Sequence, residues 1–196
     1  MRLRSGLLIV LAGLLAGVLG LAASVAAYGP GPLLASPLGQ VLDRIWPSSA
    51  DGTVAIGDAV EPWTLPDLDG GRSTLPVPGQ ATLINYWASW CGPCREELPL
   101  LAELSRDPKA GLAVRAIALD SPDEARRFLA EQRLQLPVPV ETPGPQDSSI
   151  RLGNRASVLP FSVLIDAQGR LRARKTGAFH SRAELQAWIK QGLAEP

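Results

Sequence analysis

Two cysteines carry the most specific chemical signal in this sequence. Cys91 and Cys94 are the only cysteines of the chain, and Gly92 and Pro93 separate them. Thiols three residues apart lie on the same side of a helix, where they can close a disulfide bond and open it again. The spacing therefore indicates a cysteine pair that exchanges electrons with other thiols or disulfides.

Two other uses of the cysteine pair are weaker. A structural zinc ion needs about four ligands, and His180 is the only histidine that could join the two thiols. A domain of this length does not need a structural disulfide that closes a ring of only four residues. We therefore interpret the pair as redox-active, and we expect His180 to be a solvent-facing loop residue.

The elements around the cysteines place Cys91 at the start of a helix. Residues Ala81 to Trp87 form a short apolar run that predicts a buried strand. Pro93 fits the first turn of a helix, and helix-forming residues continue from Arg95 to Ser105. Backbone N–H groups and the positive end of the helix dipole would stabilise a thiolate at Cys91. Cys91 is therefore the predicted attacking thiol, and Cys94 is the thiol that resolves the mixed disulfide.

The rest of the pattern predicts an α/β fold with helices on both faces of one sheet. A second apolar run predicts a strand parallel to the first, joined to it through the helix that carries the cysteines. A capped helix, a β-hairpin and a final helix with a capping box follow. The predicted elements are a hairpin at 63–75, strands at 81–87, 112–119, 138–141, 161–166 and 170–176, and helices at 91–105, 121–133, 148–153 and 181–193.

The N-terminal end of the chain has the features of a membrane segment. Arg2 and Arg4 precede an uncharged stretch that is long enough to span a bilayer. We expect residues 1–28 to form a transmembrane signal anchor that leaves the N-terminus in the cytoplasm and exports the rest. A cleaved signal peptide is the alternative, because small residues at 24–27 fit a cleavage site.

Two further regions follow the membrane segment. Residues 29–56 are rich in Pro and Gly and predict a tether, in which apolar residues near helical spacing favour a short amphipathic helix. The remaining residues, 57–196, are enough for one globular domain with one core. Nineteen basic residues balance nineteen acidic ones, and no nucleic-acid-binding motif occurs. Nucleic acid is therefore not an expected partner.

Two segments, one of which contains the redox pair, resemble a known family. The first, from Asn85 to Pro99, reads NYWASWCGPCREELP, and the second, from Leu159 to Asp166, reads LPFSVLID. Both resemble the thioredoxin superfamily, and more narrowly its membrane-tethered TlpA/ResA-like reductases. The segment 63–75 is similar to the N-terminal extension of that group. The resemblance implies a thioredoxin-like fold, with a central mixed sheet flanked by helices and an N-terminal β-hairpin extension.

The resemblance also implies which residues contact the substrate. In that superfamily a cis-proline faces the cysteine pair, and Pro160 matches it; an ordinary proline at the start of a strand is the alternative. A cis bond there would direct the Leu159 backbone toward an incoming peptide, which would pair with it as an added strand. Trp90, Gly92 and Pro93 surround the sulfurs and complete the predicted substrate-binding residues.

A proton acceptor for Cys94 is less evident from the sequence. Related cytoplasmic proteins have a buried Asp six residues before the first cysteine, but this chain has Asn85, which cannot take a proton. Glu97 matches an acidic residue that is credited with the role in the ResA-like group, and burial would raise its pKa into a useful range. A solvent-facing Glu97 is the alternative, and Glu96 is then the neighbouring candidate.

The residues and the resemblance together predict a thiol–disulfide oxidoreductase that works outside the cytoplasm. It would pass two electrons and two protons between its dithiol and a disulfide in a partner protein. The Cys91–Cys94 disulfide would be the redox group, with no bound cofactor and no metal. The resemblance implies a reductant, for example in cytochrome c maturation or copper delivery, which a membrane thiol carrier recharges. A disulfide oxidant or isomerase, a peroxidase and a metal-delivery module on the same fold are the alternatives.

Alkylation of the reduced protein checks the predicted asymmetry of the two thiols. We expect iodoacetamide to modify Cys91 first, because its thiolate is stabilised at a helix start. The midpoint of its labelling against pH should lie below that of a free thiol, which is about 8.5. Equal labelling of Cys91 and Cys94 with an unshifted midpoint would instead indicate a structural pair.

Overall fold

The computed structural model of the protein describes residues 52–194. The predicted membrane segment at 1–28 and the predicted amphipathic helix of the tether lie outside these residues. No helix between residues 52 and 194 combines the length and the apolar character that crossing a membrane requires.

Strands and helices alternate along most of the described chain. The strands are β1 (Trp63–Pro66), β2 (Arg72–Leu75), β3 (Ala81–Trp87), β4 (Leu112–Leu119), β5 (Val140–Glu141), β6 (Phe161–Ile165) and β7 (Leu171–Thr176). The helices are α1 (Gly92–Ser105), α2 (Pro122–Glu131), α3 (Ser148–Arg151) and α4 (Arg182–Ala194). The predictions of strands at 81–87 and 112–119 are thereby confirmed, as is the helix that starts beside Cys91.

Several predicted elements are shorter in the structure, for local reasons. Helix α2 ends at Glu131 and does not reach Arg133, whose φ of 54° lies in the left-handed region and cannot continue a helix. Strand β5 has two residues, not the predicted four, because Pro137 and Pro139 precede it. These prolines accept hydrogen bonds from β4 but have no N–H group with which to extend the ladder.

The five strands β5-β4-β3-β6-β7 form one mixed sheet, in that order. Strand β3 lies at its centre, parallel to β4 and antiparallel to β6, with Trp87 opposite Ala118 and Tyr86 opposite Phe161. The carboxyl ends of β3 and β4 and the amino end of β6 therefore meet at one edge of the sheet. The loop to Cys91 and the loop that contains Pro160 leave from this edge.

Alternate residues of the sheet contribute to two separate apolar clusters, because successive side chains of a strand point to opposite faces. The first cluster includes Leu83, Trp87, Cys91, Cys94, Leu98, Leu101, Val114, Ala116, Phe128, Leu164, Leu185 and Ile189. The second includes Leu65, Leu75, Ile84, Tyr86, Ile117, Leu152, Phe161 and Val163. Helices α1, α2 and α4 thus cover one face, whereas the other face is covered by the β1–β2 pair and by the segment that contains α3.

Strands β1 and β2 form a separate two-stranded antiparallel sheet. Trp63 lies opposite Leu75 in this pair. Between the strands, the Ser73 hydroxyl donates a hydrogen bond to the Asp67 carboxylate, with an O–O distance of 2.8 Å. Because Leu75 is fully buried, the pair packs on the domain and belongs to its core.

A substitution at Gly153 should reveal how tightly the segment after α3 packs. Gly153 has a φ of 108°, and an added Cβ would lie 2.6 Å from Nε of Arg174. Arg174 is held there because its Nε donates to the Leu152 carbonyl. We expect Gly153→Ala to lower the free energy of unfolding by about 2 kcal/mol or more, measured by urea denaturation.

Gly79→Ala is the matched control, because Gly79 also has a positive φ, of 71°, but an added Cβ would meet nothing within 4 Å. It should cost only the backbone term, about 1 kcal/mol. Equal losses in the two variants would show that contact with Arg174 contributes nothing.

Candidate functional site

The two cysteines lie at the N-terminal end of α1 and form a disulfide, with Cα atoms 5.3 Å apart. Cys91 is the N-cap residue, and its sulfur accepts a hydrogen bond from the backbone N–H of Cys94 at 3.3 Å. Cys91 retains 6% of its surface exposed, whereas Cys94 is completely buried. Cys91 therefore presents the sulfur that a partner can reach, and it lies where the helix end favours a negative charge.

Asp120 holds the loop that leads to Cys91. One of its carboxylate oxygens accepts the Ser89 N–H at 2.7 Å, and the other accepts the Ser121 N–H at 2.8 Å. Burial acts to raise the pKa of Asp120, but the hydrogen bonds from Ser89 and Ser121 outweigh it and lower the pKa below its ordinary value. Asp120 thus remains an anion that fixes the backbone two residues before Cys91.

Glu97 lies inside the protein, one turn after Cys94 on the buried side of α1. None of its surface is exposed. The Asn85 side-chain amide donates to Glu97 Oε1 at 2.7 Å, and the Phe179 backbone N–H donates to Oε2 at 2.8 Å. Burial raises the pKa of Glu97 to about 7, although the hydrogen bonds from Phe179 and Asn85 act in the opposite direction. The carboxyl group can therefore gain or lose a proton near neutral pH.

Asn85, which the sequence analysis identified as unable to accept the Cys94 proton, is buried next to Glu97. Its amide instead donates to Glu97 and, at 3.0 Å, to the Ser162 hydroxyl. Within residues 52–194, its carbonyl oxygen Oδ1 is buried and has no hydrogen-bond partner. The neighbouring candidate Glu96 is exposed, so only Glu97 combines an acidic side chain with burial next to Cys94.

Of the predicted substrate-binding residues, Trp90 precedes α1, Gly92 and Pro93 begin it, and Leu159 and Pro160 lie on the loop before β6. The Leu159–Pro160 peptide bond is cis, as the resemblance implies. The Pro160 carbonyl accepts the Gly177 N–H at 2.9 Å, which joins this loop to the segment that holds Glu97 through Phe179. Leu159 is half-buried and packs against the apolar cluster that contains both cysteines.

Around the sulfurs, the predicted contact residues are open to solvent. Trp90 is 71% exposed, and Gly92 and Pro93 are exposed as well. Val158, which the sequence analysis did not single out, adds a second large apolar side chain that is 43% exposed.

The polar groups behind the site form a further small network. Lys175 Nζ lies 3.3 Å from Glu184 Oε1 and 5.1 Å from the centre of the Phe179 ring, and its positive charge favours the ionised form of Glu97. Glu184 in turn accepts the His180 N–H at 2.8 Å. His180 is an exposed loop residue, as predicted.

Between residues 52 and 194, no three His, Cys, Asp or Glu side chains are grouped in a way that could hold a metal ion.

Sequence reasoning missed three parts of this site. The position of Asp120 could have been recognised from the sequence, because an acidic residue directly after β4 lies at the same edge of the sheet as the loop to Cys91. The Phe179 N–H carried none, since every non-proline residue has such a group. Asn85 was noticed only for the proton it cannot accept, and its donor role depends on Glu97 being buried.

The fold and the site together define a thioredoxin-like redox protein: a mixed sheet, a disulfide at a helix start and a cis-proline loop beside it. Such an arrangement can exchange its disulfide with a thiol pair of another molecule. The chain belongs to the AhpC/TSA family, whose model matches residues 56–174. It is a thiol–disulfide oxidoreductase of the ResA/DsbE type, which confirms the resemblance and the predicted enzyme class.

Individual relatives agree with this assignment. The chain is 27% identical over 146 residues to the thiol-disulfide oxidoreductase ResA of Bacillus cereus, which covers 73% of this chain and 82% of the relative. It is 34% identical over 100 residues to the thiol:disulfide interchange protein HelX of Rhodobacter capsulatus, covering 50% and 53%. The crystal structure of a candidate thiol:disulfide interchange protein DsbE from Chlorobium tepidum superposes with a TM-score of 0.59 at 28% identity, covering 72% and 97%.

The raised pKa of Glu97 makes the stability of the protein depend on pH. Between about pH 4.5 and 7, the unfolded chain has lost this proton whereas the folded protein still holds it. The unfolded state then binds fewer protons, so stability falls as pH rises through this interval, by about 3 kcal/mol for this group.

Glu97→Gln should remove this dependence. The Gln amide can keep both hydrogen bonds if the Asn85 amide turns over. The Asn85 oxygen, which has no partner among the described residues of the wild type, then accepts from the Gln amide nitrogen, and the Ser162 hydroxyl can donate to it. We expect the unfolding free energy of the wild type, measured relative to that of Glu97→Gln, to fall between pH 4.5 and 7 and then level off. Parallel curves for the two proteins would show that Glu97 titrates at its ordinary pKa.

Proposed function

We propose that the protein reduces disulfide bonds in partner proteins outside the cytoplasm. The observation that carries the proposal is the position of the redox pair. Cys91 is the accessible sulfur at a helix start, Cys94 is buried behind it, and a cis-proline loop lies alongside. In the reduced protein, the Cys91 thiolate attacks a substrate disulfide, forms a mixed disulfide and expels the first substrate thiolate.

The second step needs a base for the buried thiol. The Cys94 thiol loses its proton to the Glu97 carboxylate and attacks the Cys91 sulfur of the mixed disulfide. This closes the Cys91–Cys94 disulfide and releases the second substrate thiolate. Protonation of the two released thiolates completes a transfer of two electrons and two protons. Glu97 suits this role because its pKa of about 7 lets it accept the proton and pass it to solvent at neutral pH.

The substrate that fits this surface is an extended polypeptide segment that carries the target disulfide. Trp90, Gly92 and Pro93 contact the substrate next to the sulfurs, and the Leu159 backbone pairs with it ahead of Pro160. Pairing with an extended backbone is the general way in which an unpaired strand edge binds a peptide. No bound cofactor takes part, because the cysteine pair itself stores the electrons.

The proposed setting follows from the N-terminal sequence. Residues 1–28 anchor the chain in the cytoplasmic membrane, and the domain works on the periplasmic or extracytoplasmic side; cleavage of the segment would release a soluble form. A membrane thiol carrier returns the protein to its reduced form. The proposed substrates are proteins of cytochrome c maturation, as the resemblance to the TlpA/ResA-like reductases implies.

A reductant and an oxidant differ in the potential of the same cysteine pair. We expect a strongly reducing value, close to the −270 mV or so of thioredoxin, which shares the Gly-Pro dipeptide between its cysteines. Equilibration of Cys91–Cys94 with a glutathione redox buffer measures this potential. A value near about −120 mV, typical of a strong oxidant, would assign the protein to disulfide formation.

Cys94→Ser tests the proposed exchange directly. Without the resolving thiol, the mixed disulfide through Cys91 should accumulate and appear as larger bands on a non-reducing gel, which dithiothreitol removes. The double variant Cys91→Ser/Cys94→Ser is the control and should form no adduct. Absence of adducts in cells where the wild-type protein is active would contradict the proposed reduction of protein disulfides.

Glu97→Gln tests the proton step. We expect substrate reduction to slow by about 10²-fold, the lower end of general-base assistance, and the rate to lose its rise between about pH 6 and 8. Glu96→Gln is the matched control, because Glu96 is the exposed neighbour on the same helix, and it should keep the wild-type rate. Wild-type rates and pH dependence in Glu97→Gln would assign the proton transfer to water or another group.

A further inference from the structure

Asn154 has a buried side chain that hydrogen-bonds to the backbone just before the cis-proline. It is 4% exposed and lies three residues after α3. Its Oδ1 accepts the Val158 N–H at 3.0 Å, and its Nδ2 donates to the Val158 carbonyl at 3.1 Å. One side chain therefore binds both polar backbone groups of the same residue.

A second layer of hydrogen bonds fixes the orientation of this amide. Asn154 Nδ2 also donates to the Ser149 hydroxyl at 3.2 Å, and that hydroxyl donates to Asp147 Oδ1 at 2.6 Å. The backbone N–H of Asn154 donates to the Ser149 carbonyl at 2.9 Å. Because its oxygen and nitrogen have distinct partners, the amide cannot turn over without losing bonds.

The chain adopts an unfavourable conformation to reach Asn154. Ser157 has a φ of 50°, in the left-handed region that residues other than glycine seldom occupy. Its N–H donates to the Asn154 carbonyl at 2.9 Å, which closes a turn and brings Val158 back against the Asn154 side chain. The hydrogen bonds to Val158 offset the cost of this turn.

The consequence falls on the next residue. Val158 has both backbone groups engaged, whereas in the described part of the chain neither the N–H nor the C=O of Leu159 takes part in a hydrogen bond. Leu159 is the residue whose backbone we proposed to pair with the substrate. Because Asn154 holds the backbone of Val158, it sets the direction in which the N–H and C=O groups of Leu159 point.

We infer that Asn154 is a positioning residue for substrate: by clamping Val158, it orients the Leu159 backbone for pairing with an extended polypeptide. This inference rests on the proposed function and adds the residue that sets affinity for a peptide backbone. Asn154 has no hydrogen bond to the cysteines or to Glu97, so it should change recognition of the peptide and leave the redox chemistry unaltered.

Two substrates with the same reacting group isolate this effect. One is a heptapeptide rich in Val and Thr, whose central cysteine is joined through a disulfide to 5-thio-2-nitrobenzoate. The other is N-acetylcysteine amide with the same group, which has no flanking backbone. In both, the Cys91 thiolate attacks the cysteine sulfur and expels coloured thionitrobenzoate; Cys94 then closes the protein disulfide and releases the cysteine thiol.

The reduced full-length protein and its Asn154→Ala variant should differ on the peptide only. In single-turnover reactions, we expect the variant to reach half of its limiting rate at a peptide concentration about tenfold higher than the wild type does, equivalent to about 1.4 kcal/mol of binding free energy. Here KM denotes this half-saturating concentration, and kcat denotes the limiting rate. The variant's kcat for the peptide and its rate with the small substrate should stay within twofold of wild type. Its redox potential against glutathione should be unchanged. Ser73→Ala, which removes a buried hydroxyl between β1 and β2, is the control and should match wild type throughout.

Ser149→Ala provides a second variant, which keeps both Asn154 bonds to Val158 but removes the hydroxyl that fixes the Asn154 amide. It should give a smaller rise in KM, and it decides the matter if Asn154→Ala does not fold. An unchanged KM for the peptide, or equal losses on both substrates, would overturn the role of Asn154. Failure of the wild-type protein to react with either substrate would instead overturn the proposed function.

Discussion

The buried carboxyl group of Glu97 ties three distant parts of the chain together. A carboxylate inside a protein is costly unless it is hydrogen-bonded, and here α1 supplies the group while β3 and the segment after β7 supply the donors. Since the Gly177 N–H binds the Pro160 carbonyl, the segment that holds Glu97 also holds the cis-proline loop. One polar contact therefore couples the helix that carries the disulfide to the loop beside it.

Strand β3 makes this coupling possible because it presents polar groups on both faces of the sheet. Asn85 faces the helices and binds Glu97, whereas Tyr86 faces the other way, and its hydroxyl lies 2.8 Å from that of Ser148 in α3. Burial raises the pKa of Tyr86, so it stays neutral, and Ser148 is in turn bound by Glu141. Tyr86, Ser148 and Glu97 each have a hydrogen-bond partner, as buried polar side chains in folded proteins generally do.

The second face of the sheet also supports the loop before Pro160. The short helix α3 starts at Asp147, whose carboxylate accepts from Ser149, and Ser149 supports Asn154. The contact between Tyr86 and Ser148 thus anchors a chain of bonds that ends at Val158. The helix that carries the cysteines and the loop before Pro160 are thus both attached to neighbouring residues of the central strand, Asn85 and Tyr86.

Local patterns in the sequence were enough for the central strands, the redox helix and its cysteines. The apolar runs at β3 and β4 and the CGPC motif each lie within a few consecutive residues, where periodicity and helix-start signals operate. The family resemblance supplied Pro160 and Glu97, which no local pattern identifies. The lengths of α2 and β5 were misjudged because a left-handed Arg133 and two prolines decide where those elements end.

The residues that hold the site in place were beyond reach of the sequence for a physical reason. Glu97 and Phe179 are 82 positions apart, and the Phe179 contribution is a backbone N–H, which looks the same at every residue. Asn154 lies in a loop where asparagine is an ordinary turn residue. Its role depends on a turn through Ser157 that returns the chain to it, and only the folded structure shows that return.

The proposed proton transfer and the proposed substrate positioning involve separate sets of side chains. Asn85 and Ser162 surround Glu97 on the helical face, whereas Asp147 and Ser149 support Asn154. The two sets share no side chain and are joined through backbone, at Asn85 and Tyr86 in β3 and from Val158 to Pro160. A buried polar network loses more than one bond when it loses one member, so a single shared network would couple affinity to redox chemistry. If the proposed roles hold, separate networks allow substrate recognition to change while Glu97 and the cysteine pair keep their environment.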